Sequence, residues 1–244
     1  MSKRLAWGLA LGMMGFAGTA SAVGDITALE SVGQASFKAM SKDMGAAIGY
    51  KAMGDAEPLG IIGFDVGVAL TATSIDASSA WGSAMGSSKV NSLVLPKLYA
   101  KKGLPFGVDL GAYYVKVPST NIEVWGGEIK YAILDGTMAT PALAVRGSMS
   151  KLEGIDQWKM TTTGLDISIS KGILMLTPYA GIGQQWTTST PQGSAASAGL
   201  KEEKLSEQKM YAGVGMSLLL VNFTLEHEIM GDNTSTTLKA GIKF

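Results

Sequence analysis

The chain alternates apolar residues with polar or small ones over most of its length after residue 43. In residues 62–72, for example, every even position is apolar, and the odd positions include Asp65, Gly67 and Thr71. Because successive side chains of a β-strand point to opposite faces, this period of two predicts strands with one apolar and one polar face. Eleven such segments start near residues 45, 62, 94, 106, 125, 143, 165, 174, 210, 223 and 236, with turn-rich stretches between them.

Strand length and aromatic placement distinguish a transmembrane barrel from a soluble sandwich, since both alternate. Several segments run for about ten to fifteen residues, whereas strands of soluble sheets have about five or six and a tilted membrane strand needs about nine to eleven. Aromatic residues of the apolar face fall at the strand ends, as interfacial girdles do. One set is Tyr114, Trp125 and Trp186, and the other is Tyr50, Phe106, Tyr131, Phe223 and Phe244.

The charged residues nearly all take the face opposite to those aromatics. In the reverse register, mid-strand Lys97, Lys130, Arg146 and Lys239 would face lipid at a cost of roughly 2 to 4 kcal/mol each. The polar face is therefore predicted to line the lumen and the apolar face to contact the membrane. The predicted lumen-lining residues are Lys51, Asp65, Lys97, Asp109, Glu128, Lys130, Arg146, Asp166, Tyr179, Glu226, Glu228 and Lys239.

The first residues have the features of a secretory signal peptide. A basic start, an apolar run over residues 5–17 and the small residues Ala20, Ser21 and Ala22 predict cleavage after Ala22 and Sec-type export. With the alternating strands and the closing "KAGIKF", the chain resembles Gram-negative outer-membrane β-barrel proteins, whose last strand typically ends in Phe. That resemblance implies location in the outer membrane, contact with its lipid, and a role for Phe244 as a mark recognised by the barrel-assembly machinery.

The segment before residue 43 has a different period. Apolar residues recur at mostly helical spacing in residues 23–42, which predicts a short amphipathic helix. Bacterial single-chain barrels have an even number of strands, so either the helix forms an internal plug that enters from the periplasm or part of it is a twelfth strand. We predict a plug followed by a barrel over residues 43–244. The plug residues are Leu29, Val32, Phe37 and Met40.

The sequence thus predicts an all-β protein, a transmembrane antiparallel β-barrel of about 10–12 strands with a short N-terminal helix in or beneath the lumen. Long connections, at residues 76–91 and 187–208, fall at one end of the strands together with 118–121, 152–156 and 231–233. Because outer-membrane barrels have short periplasmic turns and long external loops, this end is predicted to face outward. A barrel of this size could just hold a helix or a narrow pore.

Thirteen glycines on the inward face have two competing explanations. A helix packed against the wall would require close approach, and barrel curvature alone would also favour glycine. Similarly, Tyr99, Tyr113, Tyr179 and Tyr211 could stack a ring-bearing ligand or simply fill the core.

Composition limits the chemistry. The chain has no cysteine, one histidine and no basic excess, so no metal, cofactor or nucleic-acid partner is expected. A turn between Asp232 and Asn233 would pair Glu226 with Lys239 and His227 with Leu238, leaving His227 without a nucleophile. We predict that the protein is not an enzyme.

A narrow or plugged passive channel for small solutes is the favoured function. The balanced inward charges favour internal salt bridges over ion selectivity. A structural or surface-exposed barrel without transport is the alternative, and a barrel enzyme acting on lipid is less favoured.

Overall fold

The computed structural model describes residues 25–86, 90–118 and 120–244. The predicted signal peptide, residues 1–22, lies outside them. Within these ranges the chain forms ten strands, three α-helices and two short 3-10 turns, Leu29–Ser31 and Pro105–Gly107. The helices are α1 (Gln34–Ile48), α2 (Ser78–Met85) and α3 (Gly193–Ser197). The strands are β1 (Phe64–Ser74), β2 (Ser92–Gly103), β3 (Val108–Lys116), β4 (Glu123–Asp135), β5 (Ala142–Glu153), β6 (Trp158–Ser170), β7 (Leu176–Pro191), β8 (Glu203–Leu218), β9 (Val221–Met230) and β10 (Asn233–Lys243).

The strands close into a single antiparallel barrel. Each strand pairs with its neighbours in sequence, and β1 also pairs with β10, from Asp65 opposite Lys243 to Thr73 opposite Ser235. At the end of this seam, Phe64 and Phe244 exchange two backbone hydrogen bonds of 3.0 and 2.9 Å, and their rings stack with centroids 5.6 Å apart. Closure removes every sheet edge along the seam. The predicted antiparallel barrel is confirmed.

The two faces of the barrel wall have opposite character. Outward-facing Leu98, Ile129, Leu165, Ile182 and Met210 are more than half exposed. The inward face carries buried charged side chains. An apolar exterior around a polar interior is the arrangement required of a barrel that spans a bilayer, since its backbone is satisfied within the ring of strands. None of the described helices is long and apolar enough to cross a membrane.

Residues 25–63 run through the lumen from one end to the other. Gln34, at the start of α1, donates to the Lys201 carbonyl oxygen in the β7–β8 loop at 3.1 Å. Near the opposite end, the Leu59 amide donates to Asp109 at 3.0 Å, and Gly103 donates to the Gly63 carbonyl at 3.0 Å. We call residues 25–63 the plug. The predicted boundary between residues 42 and 43 falls inside α1.

Two expectations about this segment are wrong. The strand predicted to start near residue 45 is the last turn of α1 followed by irregular chain. Its Ala46, Ala47 and Ile48 are all buried, because the barrel wall surrounds the second half of α1, and a helical segment buried all round has no polar face to reveal its period. Removing this strand makes the count ten. The helix also starts at the end with the long loops, so it does not enter from the end with the short turns.

The long-loop end is closed by an apolar cap. The 3-10 turn Leu29–Ser31 packs against α2 and α3. The Trp158 ring lies 5.7 Å from Phe37 and 5.8 Å from Trp81, centroid to centroid. The predicted plug residues Leu29, Val32, Phe37 and Met40 are all buried in this cluster. Burial of these side chains holds the start of the plug against the long loops.

The last hairpin turns one residue earlier than predicted. Its two-residue turn is Gly231–Asp232, and Glu226 pairs with Thr237 while His227 pairs with Thr236. Gly231 takes a φ of 56°, which glycine adopts without strain. Asn233 is instead drawn into the strand, because its amide donates to Asp43 at 2.7 Å and to the Ser74 carbonyl at 3.1 Å. The shift moves each pairing by two residues, so Glu226 still faces inward.

Candidate functional site

The candidate site is the lumen, where the plug meets the wall. In the half of the lumen nearer the long loops, the Ser41 and Ser189 hydroxyls are 2.7 Å apart. Gln185 donates to the Gly45 carbonyl at 2.8 Å. A Cβ on Gly49 would lie 2.2 Å from the Gln185 side-chain oxygen. A side chain at Gly49 would therefore displace the end of the Gln185 side chain from its present position.

Asp43 joins the plug to two other parts of the chain. Its carboxylate accepts hydrogen bonds from the backbone amides of Asp76 at 3.1 Å and Ala77 at 3.0 Å. It also accepts from the Trp81 indole at 2.9 Å and from the Asn233 amide at 2.7 Å. With 1% of its surface exposed, this carboxylate depends on these donors for the stabilisation that water would otherwise provide.

The irregular chain after α1 is hydrogen-bonded to side chains from around the wall. The Met53 amide donates to Glu226 at 2.8 Å, and the Ala56 amide donates to the Ser170 hydroxyl at 3.0 Å. Lys101 donates to the Ala52 carbonyl at 2.8 Å. These side chains take the place of the missing backbone partners, as buried polar groups require.

Lys51 was predicted on the wall but belongs to the plug. Its ammonium forms a buried ion pair with Glu228 and contacts the Ser235 hydroxyl at 3.2 Å and the Ala46 carbonyl at 2.8 Å. Lys51 thus links the end of α1 to β9 and β10. It lies in the lumen on the plug side of the interface.

Asp55 and Lys130 fix the lower part of the plug. Lys130 donates to the Asp55 and Glu57 carbonyls at 3.0 and 2.7 Å and pairs with Asp109 at 3.0 Å. The Asp55 carboxylate pairs with Lys243 at 2.9 Å. This ion pair joins the plug to β10 at the short-turn end of the barrel.

Arg146 is the centre of a second network on the wall. It donates to Asp166 at 2.5 Å, to the Tyr211 hydroxyl at 2.9 Å and to Glu128 at 3.4 Å. Lys209 pairs with Asp166 at 3.0 Å, and Lys101 pairs with Glu128 at 3.0 Å. These buried charges are thus paired with one another on the wall.

Asp65 closes the seam from inside. It accepts from Lys239 at 2.6 Å, from the Tyr99 hydroxyl at 2.8 Å and from Asn222 at 3.1 Å. The contact connects β1, β2, β9 and β10, because one residue comes from each strand. Asp65 and Lys239 are both buried.

The inward tyrosines account for several of the inward glycines. A Cβ on Gly126 would lie 2.4 Å from the Tyr113 ring, and one on Gly241 would lie 2.1 Å from the Tyr99 hydroxyl. Rings on Tyr179 and Tyr211 cover glycines 213 and 181 in the same way. The Tyr179 hydroxyl donates to Glu226 at 2.7 Å. These glycines leave room for tyrosine rings of the wall itself. This explanation differs from both of those that the sequence suggested, helix packing and barrel curvature. The rings are core fillers and leave no free face for a ligand to stack on.

Lys97 differs from the other lumen lysines. Its side chain is buried, and its ammonium lies 4.9 Å from the centroid of the Tyr113 ring. Within the described residues, its nitrogen has no hydrogen-bond partner. A cation–π contact is its stabilising interaction with the wall.

Little space remains inside the barrel at the short-turn end. A cavity of about 30 Å³ lies between the plug and the wall, lined by residues that include Asp55, Leu59, Asp109 and Lys239. This volume holds about two water molecules. It is too small for a sugar or an amino acid.

His227 lies on the outer face, with its Nδ1 atom 3.0 Å from the Thr236 hydroxyl. The prediction that Leu238 would be its neighbour is wrong, because of the shifted turn. Its pairing partner on β8 is Ala212, and Thr236 pairs with Ala72 on β1. The expectation that no hydroxyl group lies beside His227 is therefore also wrong. On the other side of the imidazole, Ala212 offers no polar group that could orient the ring as a base.

Three charged groups of the lumen were missed by the sequence analysis. Lys209 shares the odd parity of Tyr211 and could have been found by extending that strand. Asp43 follows Met40 by three residues, so helical spacing would have placed it on α1 had the helix been continued. Asp55 lies in irregular chain, where no periodicity applies.

No protein-family model matches the sequence, and a comparison with curated proteins finds no match. Three of the solved structures similar to this chain are outer-membrane barrels. The N-terminal barrel domain of Pseudomonas aeruginosa OprF is 15% identical, with 72% of this chain and 96% of that one covered and a TM-score of 0.35. OprG from Pseudomonas aeruginosa is 10% identical, with 78% and 99% covered and a TM-score of 0.37. The KdgM porin, in complex with disordered oligogalacturonate, is 8% identical, with 75% and 99% covered and a TM-score of 0.38. At these identities and scores, none of them identifies a function for this chain.

Proposed function

We propose that the protein is an outer-membrane β-barrel that its own N-terminal plug keeps closed to solutes. It reaches that membrane by Sec-type export, with the long loops outside the cell. The observation that carries the proposal is the set of hydrogen bonds between wall side chains and the backbone of the plug, including those that the Met53, Ala56 and Leu59 amides donate. Each buried amide left without its acceptor would cost about 1 to 3 kcal/mol. The plug is therefore expected to stay in place at rest.

A gated channel for small solutes is the second candidate. The lower lumen is lined with ionisable groups and water-sized space, among them Asp55, Lys130 and Lys243. Such groups can be rehydrated if the plug is displaced, whereas an apolar core cannot. An enzyme acting on lipid would require a third group to orient His227, whose neighbour on β8 is Ala212.

Conductance of the purified full chain in planar bilayers distinguishes these candidates. We expect no discrete openings, because the plug is hydrogen-bonded to the wall along its length. Folding is checked beforehand by heat-modifiable migration on gels. Regular openings of the folded full chain at low voltage would contradict the closed state and favour a passive channel.

Phe244 is proposed to act in assembly as well as at the membrane interface. Deleting it removes the stacking on Phe64 and the aromatic residue proposed to be recognised by the barrel-assembly machinery. We expect several-fold less folded protein in the outer membrane, with export unchanged, because an interfacial aromatic contact is lost. Phe244→Tyr keeps the ring and serves as the control. Equal folded yield from the deletion, measured by heat-modifiable migration of outer-membrane fractions, would refute the assembly role.

A further inference from the structure

The tips of three short turns carry large apolar residues that nothing in the barrel covers. Phe106 in the β2–β3 turn is 92% exposed, and Leu174 in the β6–β7 turn and Leu219 in the β8–β9 turn are each 101% exposed. We call these three residues the apolar tips. Most exposed hydrophobic residues of a protein are scattered, but these three lie at the same end of the barrel.

The backbone conformation at the three tips is unusual for such large residues. Phe106, Leu174 and Leu219 have φ values of 64°, 55° and 57°. Glycine or asparagine normally occupies this left-handed region, because a larger side chain crowds its own backbone. In water, each tip would combine backbone strain with an exposed apolar side chain.

Two of the tips lie beside further exposed apolar residues. Next to Leu174, the side chains of Ile173, Met175 and Leu176 are exposed, and next to Leu219 so are Leu218 and Leu220. On the outward face of β7, Ile182 is followed by the polar Gln184 and then by Trp186 near the long-loop end.

The length of β7 places the tips at the edge of the apolar band. From Trp186 to Leu174, a strand tilted as in membrane barrels rises about 30 Å, which matches an apolar band of about 25 Å together with the aromatic girdles that flank it. If Trp186 lies at one interface, as its place at the end of the apolar run indicates, Leu174 reaches the other.

Two lysines at the short-turn end, Lys171 and Lys102, have ammonium groups bound by backbone carbonyl oxygens. The Lys171 ammonium contacts the carbonyl oxygens of Thr137 at 2.8 Å, Met138 at 2.7 Å and Thr140 at 3.2 Å. Lys102 donates to the Ile61 carbonyl at 2.6 Å. The carbonyl oxygens thus provide hydrogen-bond acceptors for both ammonium groups. The positive charge of the two lysines is compatible with a position near the lipid phosphates.

We propose that the apolar tips are inserted into the lipid leaflet at the short-turn end and anchor the barrel there. The partner of this surface is the lipid itself, by continuity with the membrane-facing wall. The inference rests on the proposed membrane-spanning state. It goes further by placing the turns within the leaflet, where a soluble periplasmic protein has no access to them.

Site-directed spin labelling tests the proposal, and the chain has no cysteine to interfere. Single variants Phe106→Cys, Leu174→Cys and Leu219→Cys carry a nitroxide in the full chain, reconstituted in phospholipid nanodiscs that leave both faces open. Ile182→Cys marks the middle of the wall, and Ala198→Cys marks exposed chain at the long-loop end. Collision rates with oxygen, which concentrates in lipid, and with a water-soluble nickel chelate are compared.

We expect the oxygen-to-chelate ratio at the three tips to exceed that at Ala198 several-fold and to approach that at Ile182, since lipid excludes the chelate. Ratios at the tips equal to that at Ala198, with Ile182 in lipid, would place the tips in water and overturn the proposal. Water access at Ile182 itself would instead refute the membrane-spanning state, so the two failures are distinguishable.

Discussion

Replacing Asp43 with alanine is expected to destabilise the protein by about 3 to 5 kcal/mol, because buried donors are left without an acceptor. The carboxylate accepts from Trp81, Asn233 and two backbone amides of the segment that leads into α2. Removing it should also release that segment from the plug. The predicted result is a lower free energy of unfolding in urea and faster amide exchange at Asp76 and Ala77.

Asp43→Asn is the matched control. This variant keeps the shape of the side chain and one acceptor oxygen, but its NH2 group would face the hydrogen-bond donors that the second carboxylate oxygen now accepts. We therefore expect an intermediate loss of stability. An Asp43→Ala variant whose stability and exchange match those of the native chain would show that the carboxylate does not hold the cap to the plug.

The wall of the barrel could be predicted from sequence because nearly every residue there obeys one rule, with an exception at the β-bulge between Ala132 and Leu134. Side chains alternate between lipid and lumen, and the cost of turning Lys97 or Arg146 toward lipid fixes the register. Even the wrong turn in the last hairpin left Glu226 facing inward, since the error in pairing was an even number of residues.

The plug could not be predicted in the same way. The second half of α1 is enclosed by the wall and has no solvent face, so Ala46, Ala47 and Ile48 gave no helical period. The irregular chain from residue 49 to 63 has no period at all. Its position depends on side chains far away in sequence, such as Glu226 for Met53 and Asp109 for Leu59.

The ion-pair partners of the charged lumen residues also could not be predicted from the sequence. Inward parity identified Arg146 and Asp166 separately, and their pairing follows from the alignment of β5 with β6. Asp65 meets Lys239 across the seam, between strands at opposite ends of the barrel sequence. Such contacts require the closure of the barrel and the shear between its strands.

Removal of the plug is expected to open the barrel. A variant lacking residues 25–60 retains all ten strands, including β1 from Phe64 and its pairing with β2 and β10. Its lumen would be lined by charged groups released to water, among them Glu226, Glu228 and Lys101. A variant lacking only residues 25–41 is the control, because Asp43 to Leu59 would still fill the lower lumen. We expect that control to stay closed or nearly so.

Single-channel conductance in planar bilayers, compared between the full chain and the variant lacking residues 25–60, tests the central claim most directly. Both proteins are first shown to be folded by heat-modifiable migration. The account predicts a silent full chain and discrete, sustained conductance steps from the deletion, since nothing else crosses the lumen between the described strands. A folded deletion variant that remains silent, or a full chain that conducts equally, would contradict the claim that the plug closes the barrel.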